Sequence, residues 1–125
     1  FVNSHFMPPD DLLDEDRGAA LGWEKLRARL DEYMTWMNES APSLRNLTGS
    51  ELAGAVQRYG ALTVDKEITD QEIRIHLGNF YDEAYLMVRI NDGTPGQVTG
   101  GELTNVTGNL YLLHAQESEV VIERN

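Results

Sequence analysis

The side chains best suited to acid–base chemistry near neutral pH are three histidines, His5, His76 and His114. Imidazoles act as general acids and bases or as metal ligands, and each use needs partners at a set spacing. The separations here match no metal-ligand pattern, and His5 falls in the N-terminal leader. If the strands carrying His76 and His114 are neighbours, the two rings approach and Glu72 completes an acid–base set. On an open sheet face each is otherwise an ordinary surface residue. No serine has the flanking glycines of a nucleophile elbow, and no P-loop or dinucleotide fingerprint occurs. The absence of cysteine removes thiolate metal sites, cysteine nucleophiles and disulfides together. The carboxylates from Asp10 to Asp16 lack the alternation, central glycine and terminal glutamate of an EF-hand loop, and the dipole of a helix N-terminus accounts for them. No catalytic, cofactor-binding or metal-binding residue is therefore assigned, and no cofactor is expected.

Two constellations remain. Alternation places Arg74, His76, Tyr85, Met87 and Arg89, with Glu72, on the polar face of a predicted hairpin. Arginine, tyrosine and methionine are enriched at protein interfaces, so these five form the expected partner-binding set. Cross-strand Glu–Arg pairing explains the same residues without a partner. N-x-[ST] triplets at Asn38, Asn46 and Asn105 are candidate N-glycosylation sites if the chain is exported into a glycosylating compartment.

Ten basic residues against twenty-one acidic ones leave a net charge of −11. That charge repels phosphates and anionic headgroups, so no nucleic-acid binding is expected. The opening Phe-Val-Asn-Ser-His-Phe-Met is too short and polar to span a bilayer, and no direct membrane insertion by this segment is expected. The start at Phe1 has two explanations, an upstream anchor or signal that was removed and ordinary processing or a tag remnant; the first favours an extracytoplasmic or cell-surface location, with a cytoplasmic one as the alternative.

The elements that position these residues fall into two halves. Pro8-Pro9 and the N-cap Asp10 open a helix that Gly18 and Gly22 weaken. From there Ala19, Trp23, Leu26, Leu30, Tyr33 and Met37 form one stripe ending near Glu39. Exposure of Trp36 would favour a partner surface over packing within the domain. Thr48-Gly-Ser-Glu51 is a capping box for a shorter helix, with Leu52, Ala55, Val56 and Tyr59 as its apolar face and Gly60 as its stop.

The period then changes to two. Ile73, Ile75 and Leu77 alternate with charged residues, and Ala84, Leu86, Val88 and Ile90 repeat the pattern, so an antiparallel hairpin turning at residues 78–82 is predicted. Residues 91–101 read as a long loop, strands resume at Glu102 and break at Gly108, and Val120–Ile122 close the chain. The expected fold is α+β: a long amphipathic helix and a shorter one packed on an antiparallel meander of four or five strands. A leader over residues 1–9 precedes a single domain over 10–125, helical to residue 60 and β from 61.

The leading functional expectation is a non-enzymatic interaction or structural module, the soluble part of an anchored, exported or surface-assembly protein with a protein partner. An acidic inhibitor or immunity-type protein that neutralises a basic partner is the first alternative. A small enzyme or ligand binder, with a pocket lined by Tyr85, Tyr111 or His114, is the second.

Overall fold

The computed structural model describes Pro8, Asp10 and residues 13–125. The leader expected over residues 1–9, His5 included, lies outside the described residues apart from Pro8. The fold is α+β, with two α-helices and seven antiparallel strands in two sheets among the described residues. The chain divides into two compact units, residues 1–44 and 45–125.

In the first unit a 3-10 turn over Gly18–Leu21 precedes helix α1, Trp23–Ser40. Of the helix expected from Asp10, residues 11 and 12 lie outside the described residues; ahead of α1, Gly22, at φ +74°, breaks the backbone in a conformation that glycine alone adopts cheaply. Along α1 the predicted stripe survives as the half-buried Leu26, Leu30 and Met37. Trp36 is 62% exposed, and its ring stacks with Tyr33 at 6.2 Å.

The second unit opens on helix α2, Gly49–Ala61. Its start follows the sequence signal: Thr48 Oγ1 accepts from the Glu51 amide, and the Glu51 carboxylate accepts from the Thr48 amide at 2.7 Å. That hydrogen bond holds the Glu51 carboxyl below the usual carboxylate range. The helix runs one residue past Gly60 and ends where Leu62 turns extended.

Strands β1 (Thr63–Ile68), β2 (Glu72–Gly78), β3 (Ala84–Arg89), β4 (Pro95–Thr99), β5 (Gly101–Thr107), β6 (Leu110–Ala115) and β7 (Glu119–Arg124) follow. They form a four-stranded sheet in the order β1-β2-β7-β4 and a three-stranded sheet in the order β3-β6-β5. Ile73, Ile75 and Leu77 of β2 and Val120 and Ile122 of β7 share one buried cluster with Ala84, Leu113 and Ala115 of the other sheet. The core therefore lies between the sheets, in a sandwich. Each large aliphatic side chain fully buried there contributes about 1.5–3 kcal/mol.

The structure corrects several expectations. The strands number seven, in two sheets, where a meander of four or five was expected. The predicted hairpin does not form: β2 pairs with β1 and β7, and β3 with β6. Alternation marks a half-buried strand but does not say which sheet it joins. Strand β4 lies inside the stretch read as loop, and Gly100, at φ +81°, turns the chain from β4 in one sheet to β5 in the other. A Cβ on Gly100 would lie 2.1 Å from the Glu119 carbonyl oxygen, so the corner requires glycine. Strand β1 gave little signal because it is an edge strand exposed along its whole length. The break at Gly108 stands, between β5 and β6.

Candidate functional site

The face α2 turns inward is only in part the one its apolar residues mark. Leu52, Ala55, Arg58 and Leu62 are half-buried, whereas Val56 and Tyr59 are exposed, Tyr59 to 81%. An arginine takes an inward position because a carboxylate waits for it: Arg58 Nη2 donates to Glu83 Oε1 at 3.1 Å.

Glu83 is delivered by the connection between β2 and β3, which crosses from one sheet to the other. Asn79 and Asp82 take left-handed conformations at φ 55° and 68°, which short polar side chains tolerate better than most. Phe80 packs against the core, and the Asn79 side chain donates to the Ala61 carbonyl at 3.1 Å, tying the turn to the end of α2. Between these anchors Tyr81 is left 74% exposed.

Glu83 divides its oxygens. Oε1 faces Arg58 and, at 3.8 Å, Arg45; Oε2 accepts from His114 Nε2 at 3.1 Å. His114 lies opposite Tyr85 in the β3–β6 ladder, and their rings stack at 4.3 Å and 5°. The Arg45 guanidinium rests 3.8 Å from the Tyr85 ring centroid, a cation–π contact. Arg45, Arg58, Glu83 and Tyr85, but not His114, border a cleft of about 80 Å³ whose lining is completed by Tyr59, Asn79 and Tyr81 and by the apolar Ala55, Leu62 and Ala84. Formally, two guanidiniums face one carboxylate at its wall.

The arrangement is suited to holding a ligand. Glu83 already accepts from an arginine and a histidine, so it is occupied as a base. The expected approach of His76 to His114 does not occur, because β2 and β6 lie in different sheets. His76 instead hydrogen-bonds through Nδ1 to Glu119, its neighbour on β7. Among the described residues, no group of three or more His, Asp or Glu side chains is placed to hold a metal ion. Tyr111, expected in a pocket, sits opposite Val88 and packs against the core.

The partner-binding set of the sequence reading is divided between two surfaces. Arg74 and His76 alternate with buried β2 residues and lie on the outer face of the four-stranded sheet. Glu67, Asp65 and Glu119 are their cross-strand neighbours, and Arg74 donates to Glu72 at 2.8 Å. That bond, with the surrounding carboxylates, raises the Arg74 guanidinium further above its ordinary range. Tyr85, Met87 and Arg89 lie on the outer face of the other sheet, where Arg89 donates to Asn109 at 3.1 Å. Only Tyr85 borders the cleft. Asn38, Asn46 and Asn105 are all exposed, and the Asn105 side chain donates to the Gly108 carbonyl at 2.9 Å.

Sequence reasoning missed Arg45, Arg58, Tyr59, Tyr81 and Glu83 as a group. Arg58 and Glu83 are 25 residues apart and Glu83 and His114 are 31 apart, separations that no local pattern spans. The available signal was an arginine in register with Leu52 and Ala55, and a turn dense in aromatic and acidic residues.

A family model described as "Uncharacterised protein conserved in bacteria (DUF2194)" matches residues 1–112. The chain belongs to this family. The match covers every residue bordering the cleft, and in this DUF2194 chain it stops within β6, short of His114 and β7. No curated protein and no solved structure matches the chain.

Proposed function

We propose that residues 45–125 form a recognition module, and that a protein partner seats on the cleft between α2 and the β2–β3 connection. One observation carries this reading: Tyr59 and Tyr81, 81% and 74% exposed, stand at a cleft whose walls hold two arginines. Tyrosine and arginine are the residues most used as binding anchors, and neither tyrosine is needed for the core. The exposed Trp36 on α1 adds to the support for an interaction role. In this reading the chain is non-enzymatic and serves an anchored, exported or surface-assembly protein outside the cytoplasm, the setting in which the exposed sequons have meaning.

The test compares partner retention by the wild-type chain, the Tyr59→Ala/Tyr81→Ala variant, and an Arg74→Ala/His76→Ala variant on the opposite sheet. A partner kept by the wild type and the sheet variant but lost from the tyrosine variant supports the reading. Equal retention by all three removes it. Both tyrosines are exposed, so their removal is expected to change stability by less than about 0.5 kcal/mol.

A further inference from the structure

The cleft's charge is out of keeping with its surroundings. Residues 45–125 hold six basic and twelve acidic residues, yet Arg45 and Arg58 share the single carboxylate of Glu83. The two arginines are not equally engaged. Arg58 donates a hydrogen bond to Glu83, whereas Arg45 lies flat on Tyr85, 3.8 Å from the nearest Glu83 oxygen, and makes no hydrogen bond among the described residues. Its side chain is 29% exposed, and its ionic partner Glu83 is already shared with Arg58 and His114. A guanidinium presents a planar fork that matches a carboxylate. Stacked on the ring, Arg45 lines the cleft.

From this we infer that the cleft takes one carboxylate, the side chain of an Asp or Glu on an otherwise neutral or basic stretch of a partner protein. The inference rests on the reading of the cleft as a recognition site. The volume, about 80 Å³, suits an entering side chain and falls well short of the roughly 300–1,000 Å³ typical of sites for drug-sized molecules. The acidic excess of residues 45–125 repels a run of negative charge far more than a single carboxylate, and basic neighbours offset that remaining repulsion. Tyr59 and Tyr81 are placed to pack on the stem and backbone beside that carboxylate.

The experiment follows the side-chain NMR signals of Arg45, Tyr59 and Tyr81 in the full chain as short peptides are added. One peptide carries a central Glu between neutral residues, a second has Gln in its place, a third has several consecutive Glu, and acetate is titrated separately. The Glu peptide is expected to bind about tenfold more tightly than the Gln peptide, the worth of one charge-assisted hydrogen bond. Arg45→Met is expected to bring that ratio to about one, with Arg45→Lys restoring part of it. Equal binding of the Glu and Gln peptides to the wild type overturns the carboxylate inference while leaving the cleft as a recognition site. No movement of any cleft signal with any peptide removes both. Tighter binding of the poly-Glu peptide overturns the single-carboxylate claim, and acetate saturating as strongly as the Glu peptide overturns a partner side chain as occupant.

Discussion

Glu83 is the residue on which the cleft depends, because it receives Arg58, Arg45 and His114 at once. Its side chain is about 29% exposed, so the pairs stand between the surface case, worth about 0–1 kcal/mol, and the buried case, where removing one partner costs about 3–5 kcal/mol. Glu83→Gln is therefore expected to destabilise the protein by about 1–2 kcal/mol in urea unfolding, with a smaller additional loss when Arg58→Met is added. The second residue-scale prediction concerns Glu51. Its carboxyl is lowered in the folded chain, chiefly by the Thr48 backbone hydrogen bond, so the charged form is favoured by folding. That contribution is present above the unfolded glutamate pKa and is lost as pH falls through the lower, folded value. Thermal melts of wild type and Glu51→Gln should accordingly differ at neutral pH and converge in acid.

At the scale of elements, the capping box of α2 was legible in the sequence because both of its hydrogen bonds lie within four consecutive residues. The inward face of α2 was legible only at Leu52 and Ala55, because an arginine takes the next inward position and pairs with a distant carboxylate. The long helix is legible through its stripe, and Gly22, one of the two glycines that weaken the pattern, marks the residue before its start. Alternation in β2 identified the buried residues correctly, and the same alternation supported a hairpin that does not exist. Gly100 carries the element-scale prediction. Its positive φ costs a non-glycine residue about 1–3 kcal/mol, and the Glu119 carbonyl oxygen occupies the space a methyl would need. The Gly100 carbonyl also accepts from the Gln116 and Glu117 amides, so the corner cannot shift without loosening the β6–β7 turn. Gly100→Ala is expected to lower stability by about 3 kcal/mol or more, read as a fall in the urea midpoint.

For the whole molecule, the sandwich core and the net charge set the behaviour. Leu113 is fully buried between the sheets, and Leu113→Ala should cost about 2–5 kcal/mol, measured by denaturant unfolding. A charge of −11 means self-repulsion, so the melting temperature should rise as salt is added from low ionic strength toward about 0.15 M, where the screening length is about 8 Å. Among the described residues no helix is long and apolar enough to cross a membrane.

By itself the sequence determined the α+β class, the order of helices before strands, the α2 cap, the break at Gly108 and the buried positions of β2, because each follows from neighbours a few residues apart. The tertiary structure alone decided which strands share a sheet, and with that which charged residues meet. Strand pairing depends on hydrogen bonds between backbones far apart in the chain, and every backbone offers the same donors and acceptors. The five residues expected on one face were thus parted to the outer faces of two sheets, while Glu83, Arg45, Arg58 and His114 were brought into one cluster.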